Sequence, residues 1–68
     1  MKKKIIIIGS TGKLGSKLLS FTDKNLIPIF CITCFKNINK LTAQKKRYNI
    51  KKSFVLSNLK DEIEFLKL

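Results

Sequence analysis

The stretch Ile5-Ile6-Ile7-Ile8-Gly9-Ser10-Thr11-Gly12-Lys13-Leu14-Gly15 decides how this chain folds. Four β-branched residues in succession predict a strand over Ile5–Ile8, reaching back to Lys4 and buried on both faces of a parallel sheet. Glycines then recur at spacings of three and three. Gly9 lets the chain leave the strand in a tight turn, Gly12 lets backbone approach a phosphate, and Gly15 lets a helix close onto the strand. The first N–H groups of that helix face the anion, and its dipole adds attraction. Ser10 and Thr11 are candidate hydroxyl donors to the phosphate, and Lys13 a candidate charge. From Lys13 to about Phe21 the pattern is helical, with Leu14, Leu18 and Phe21 on the face expected to point inward. A P-loop is excluded, because no G-K-[ST] follows at its spacing. The plain alternative is a strand–helix turn without a ligand.

Downstream the same unit recurs. Thr22-Asp23-Lys24-Asn25 reads as a polar turn, and Pro28 stands early in the next apolar run. Ile29–Thr33 is the second expected strand. Asn37 or Asn39 caps a helix running to about Tyr48, with Ile38 and Leu41 inward. Asn49-Ile50-Lys51-Lys52 is a connection, and Ser53–Leu56 a third strand. Ser57 or Asn58 opens a last helix with Leu59, Ile63 and Leu66 at i, i+4 and i+7, and with Asp61 and Glu62 near its positive end. Alternating strands and helices at this spacing predict an α/β fold, a parallel three-stranded sheet of order 3-2-1. That is the first mononucleotide-binding half of a doubly wound, Rossmann-like domain. The expected domain spans 1–68 and reads as a fragment, since the edge beside strand 1 is where a second half would dock. A chain of 68 residues buries only about 60% of the surface its unfolded form exposes.

Charge is lopsided. Fifteen Lys and Arg against four acids give +11, a balance that points toward anionic partners. Arg47 is the only arginine, however, and base and phosphate recognition favours the planar Arg fork. The lysines are scattered with Tyr48 the only aromatic among them, so no stacking platform emerges and nucleic acid is not the expected partner. The abundance of Ile, Asn and Lys also matches what A/T-rich coding sequence produces. Cys31-x-x-Cys34 sits in a strand-like run, where a spacing of three sets the thiols on opposite faces. With no His and no third Cys, a metal site lacks ligands. Buried, reduced thiols and a reducing, cytoplasmic setting are expected. The apolar run Ile5–Ile8 is too short for a signal sequence, and Leu26–Phe35 is half the ~20 residues a bilayer span needs.

The end of the second strand selects the nucleotide. An NAD site places Asp or Glu there; this chain has Cys34-Phe35-Lys36-Asn37, and Lys36 suits a 2′-phosphate. NADPH is therefore the expected cofactor.

Lys3-Lys4-Ile5-Ile6-Ile7-Ile8-Gly9-Ser10-Thr11-Gly12-x-x-Gly15 resembles the amino terminus of the 1-deoxy-D-xylulose 5-phosphate reductoisomerases, whose loop usually reads G-S-T-G-S-I-G. Lys36-Asn37-Ile38-Asn39-Lys40-Leu41 is similar to that family's G-K-N-hydrophobic stretch, and Tyr48-Asn49-Ile50-Lys51 leads into Phe54-Val55-Leu56 as its second helix leads into its third strand. The resemblance covers the whole chain but only the first part of such an enzyme. It implies an NADPH-dependent oxidoreductase of non-mevalonate isoprenoid biosynthesis, a homodimer at full length, with a sugar-phosphate substrate and a divalent magnesium or manganese ion. By position, it implies that Thr11, Gly12, Lys13 and Leu14 hold the cofactor phosphates and that Phe35, Lys36 and Asn37 lie by the adenosine ribose. Lys13 stands where the family has Ser, Leu18 where it has Thr, and Phe35 where it has Gly; a ring at 35 would crowd the adenosine end or stack on it. The family's metal carboxylates, substrate site and closing loop have no counterpart here, so no catalytic residue is assigned. Two other readings stand beside this one. One is a small basic protein binding nucleic acid or another anion; the other is a piece of a different NADP-linked reductase or epimerase.

Overall fold

The computed structural model describes residues 5–68. Strands and helices alternate: β1 (Ile6–Ile7), α1 (Lys13–Lys24), β2 (Cys31–Cys34), α2 (Ile38–Arg47), β3 (Lys52–Val55) and α3 (Leu59–Leu66). The three strands form one parallel sheet in the order β1-β2-β3, which is the expected 3-2-1 seen from the other edge. Ile6 pairs with Cys31 and Ile7 with Ile32, while Cys31 to Cys34 pair with Lys52 to Val55. The glycine loop, Phe35–Asn37 and Leu56–Asn58 therefore lie together at the carboxyl edge.

Every residue of the central strand β2 is buried, as a β-branched, Cys-rich stretch flanked on both sides requires. Around it gather Ile7, Leu19, Ile32, Cys34, Leu41 and Ile50, with Ile29, Tyr48 and Val55 packed against them. Phe54, one residue out of phase with Val55, meets Phe65 of α3 edge-to-face at 5.7 Å, so α3 covers the layer that strand alternation turns the other way.

Several boundaries and faces differ from the sequence reading. β1 is only Ile6–Ile7, Ile6 and Ile8 are exposed, and Lys4 lies outside the described residues. As an edge strand it is not buried on both faces. β2 starts two residues later than Ile29 and includes Cys34, leaving Pro28 in the approach. β3 begins at Lys52 and ends at Val55, and Ile50 in the preceding connection is buried. α1 absorbs Thr22, Asp23 and Lys24 from the expected turn. It ends at Lys24 with Asn25 as its C-cap; Leu26 then takes φ 55° and the Ile27 N–H donates to the Thr22 carbonyl at 2.8 Å, a left-handed stop that closes the last helical turn.

The apolar stripes are the larger correction. In α1 the inward residues are Gly15, Leu19 and Thr22, whereas Leu14, Leu18 and Phe21 are exposed. Both sets follow a four-and-three spacing, and the tight contact at Gly15 selects between them. In α2, Leu41 and Gln44 are buried and Ile38 is exposed. In α3, Leu59, Ile63 and Leu66 are exposed, and Phe65 carries the contact to the sheet. Asn37 and Asn58 cap their helices, their side-chain oxygens accepting from the N–H groups of Lys40 and Asp61. No helix among the described residues is long and apolar enough to cross a membrane.

Candidate functional site

Gly9 leaves β1 with φ +78°, a left-handed conformation that favours glycine. The chain then turns back so that the Gly12 N–H donates to the Gly9 carbonyl at 3.1 Å. Gly15 faces that turn directly: a Cβ there would stand 2.1 Å from the Gly9 carbonyl oxygen and 2.8 Å from the Ser10 Cα. No side chain fits, so the helix rides onto the loop only because residue 15 is glycine. Gly12 differs. It is exposed, and a Cβ would meet nothing closer than 3.4 Å.

Gly12 is also the N-cap of α1, and no side chain caps the helix. Ser16 is the first residue whose N–H returns to the loop, donating to the Gly12 carbonyl at 2.9 Å. The N–H groups of Lys13 and Leu14 thus open toward solvent at the positive end of the helix dipole. The first turn contains no acidic residue.

Ser10 is not a phosphate donor. It is fully buried, and its hydroxyl donates to the Gln44 side-chain oxygen at 2.8 Å. Its carbonyl accepts from the Gln44 amide at 2.9 Å and from the Ser16 hydroxyl at 3.1 Å. Its N–H donates to the Thr33 carbonyl, and the Gly9 N–H to the Thr33 hydroxyl. Thr11 is half-buried, and its carbonyl accepts from the Lys40 ammonium at 2.9 Å. The loop is therefore bound from beneath by Thr33 of β2 and from the side by Gln44 and Lys40 of α2. The sequence reading passed over all three. A polar Gln one turn beyond the inward-facing Leu41 was the available signal, since a buried amide demands partners.

Across the carboxyl edge, Phe35 and Lys36 are exposed and Asn37 caps α2. The Phe35 carbonyl accepts from the Ser57 hydroxyl, which ties this corner to the end of β3. The chain's acids stand at Asp23, Asp61, Glu62 and Glu64, so no carboxylate belongs to either segment facing the loop. The residues present suit an anionic dinucleotide: an obligatory glycine, an uncapped helix start and lysines without acids. A metal ion has no comparable fit, because no three His, Cys, Asp or Glu side chains gather among the described residues.

Cys31 and Cys34 are free and buried. Burial pushes the Cys31 thiol up to about 11, with the Lys52 charge partly offsetting it. The Cys34 thiol is raised as well, by burial first and by the Asp61 carboxylate second. Both are held as inert thiols, because nucleophilic or metal-binding Cys needs the thiolate. Tyr48 is half-buried, with the Arg47 guanidinium 5.5 Å from its ring centroid. A groove of about 1090 Å³, lined by Leu19, Ile29, Tyr48 and Ile50 among others, opens at the amino ends of the strands. It is remote from the glycine loop.

No family model matches the chain, and no solved structure matches it significantly. The 1-deoxy-D-xylulose 5-phosphate reductoisomerase of Pelagibacter ubique (strain HTCC1062) is 44% identical to it over 55 residues, 78% of this chain. The match takes in only 14% of that enzyme's length, so the chain is similar to a short part of a reductoisomerase.

Proposed function

We propose that the chain is the amino-terminal NADPH-binding segment of a 1-deoxy-D-xylulose 5-phosphate reductoisomerase and is not competent for turnover alone. The observation that carries this reading is the glycine loop at the carboxyl edge of a parallel sheet, where Gly15 admits no side chain and the start of α1 is uncapped. The likeness to the Pelagibacter enzyme favours this family over another NADP-linked reductase or epimerase.

In this reading the backbone of Thr11, Gly12, Lys13 and Leu14 borders the pyrophosphate, the open N–H groups of Lys13 and Leu14 donating to the phosphate oxygens while the Gly12 N–H stays on the Gly9 carbonyl. Gly12 leaves the approach open, and the Lys13 ammonium adds charge. Phe35, Lys36 and Asn37 border the adenosine ribose, with Lys36 facing the 2′-phosphate. NADPH, when bound, supplies a hydride. Catalysis further requires substrate and metal groups that the resemblance assigns to later parts of such an enzyme.

Calorimetric titration at fixed salt tests the reading. NADPH should bind at least about tenfold more tightly than NADH, since a charge-assisted bond to phosphate is worth ~1.5–3 kcal/mol. Gly12→Val should weaken both cofactors alike. Absence of binding by either cofactor would overturn the reading. NADPH oxidation dependent on the sugar phosphate by this chain alone would overturn its second half.

A further inference from the structure

α2 grips the glycine loop at two consecutive carbonyls from two consecutive turns: Gln44 donates to Ser10 and Lys40 donates to Thr11, each at 2.9 Å. The two contacts differ in kind. Gln44 is buried and its amide is engaged at both ends by Ser10, so it is a fixed strut. Lys40 is exposed, and its ammonium rests on a single neutral carbonyl. A charged donor on a neutral acceptor is the weaker arrangement, and an anionic acceptor within reach displaces it. The contact also spans the two segments that a dinucleotide would bridge, the loop after β1 and the start of α2.

Resting on the cofactor reading above, we propose that Lys40 is a specificity-determining residue. Its ammonium bridges to the Thr11 carbonyl in the free protein and transfers to the 2′-phosphate of the incoming nucleotide. Lys36, one residue before the cap of α2, is then the outer of two cations rather than the sole selector. When Lys40 lets go of Thr11, the loop keeps its bonds to Thr33, Ser16 and Gln44. No acidic residue lies between Asp23 and Asp61 in the sequence to compete for the ammonium.

The probes are adenosine 2′,5′-bisphosphate, which carries the 2′-phosphate, and adenosine 5′-monophosphate, which lacks it. Each is titrated into the wild-type chain and into Lys40→Met, Lys40→Arg and Lys36→Met, with amide shifts of Thr11 and Gly12 followed by NMR. Lys40→Met should lose roughly tenfold in affinity for the bisphosphate and little for the monophosphate, about the worth of one charge-assisted bond. Lys40→Arg should restore the ratio. Free Lys40→Met should already show, at the Gly12 amide, the part of the bisphosphate-induced shift that the monophosphate does not produce in wild type, since the variant and the 2′-phosphate both release the Thr11 carbonyl. A wild-type preference for the bisphosphate that Lys40→Met leaves intact overturns the assignment and leaves the cofactor reading standing. Failure of wild type to bind either probe or NADPH overturns both.

Discussion

At the scale of single residues, two glycines of one loop serve different ends, and substitution separates them. Gly15→Ala places a methyl group 2.1 Å from a backbone oxygen that cannot move without dragging β1. The expected cost is about 3 kcal/mol or more, enough to unfold most of a domain this small. Gly12→Ala meets only a 3.4 Å contact at φ −74°, so its effect on stability should stay within about 1 kcal/mol. Urea melts followed by circular dichroism distinguish the two, and equal destabilisation would refute the asymmetry. The glycine spacing was legible in sequence because each glycine answers a backbone demand. Ser10 was misread because a hydroxyl in a phosphate-type loop looks like a ligand donor until the packing shows Gln44 against it. The partner of Lys40 was invisible because it lies 29 positions away; Gln44 signalled only that an inward amide needs partners, not that Ser10, 34 positions away, supplies them.

At the scale of elements, type and order were legible, while faces and ends were not. Alternation of β-branched runs with helical segments, the second and third of them capped by Asn37 and Asn58, specified βαβαβα and the parallel sheet. Which stripe of α1 turns inward could not be read from periodicity, since Leu14/Leu18/Phe21 and Gly15/Leu19/Thr22 share the same spacing and the former is the more apolar. The structure sets an expectation: Leu19→Ala should cost about 2–5 kcal/mol and Leu18→Ala less than about 1. A reversed ranking in denaturant would return α1 to the other face. β2 offers a second test. Burial pushes the Cys31 thiol up to about 11 in the fold, from 9.0 for a free thiol. Between those values the native state holds more protons, so stability is full below the lower pH and falls as pH rises through the window. The loss should approach ~2 kcal/mol by pH 11. Lysine deprotonation in the same range affects a Cys31→Ala variant equally, so the difference between the two pH profiles isolates the thiol. Parallel profiles would mean that Cys31 ionises in the fold as it does in the coil.

At the scale of the whole molecule, fifteen bases against four acids leave most positive charges without a partner. The body measures 33 × 29 × 19 Å. At 0.01 M ionic strength the screening length is ~30 Å, so almost every lysine repels every other across the fold. At 0.15 M it is ~8 Å, and only near neighbours still interact. Unfolding separates the charges and relieves the repulsion, so low salt favours the unfolded chain. Stability carried by surface ion pairs would have the opposite dependence, since screening weakens attraction too. The carboxylates leave little room for that: Asp61 spends one oxygen on the Val55 N–H, and Asp61, Glu62 and Glu64 sit within four residues of α3, remote in sequence from the basic run Lys45–Lys52. The midpoint of thermal unfolding should therefore rise by several degrees between 0.01 and 0.15 M sodium chloride, since about 1 kcal/mol shifts a domain of this size by ~4–8 °C. It should flatten above that range, where the screening length no longer reaches between lysines. A midpoint that falls with added chloride would mean that attraction between unlike charges, rather than repulsion among lysines, governs the electrostatics of this fold.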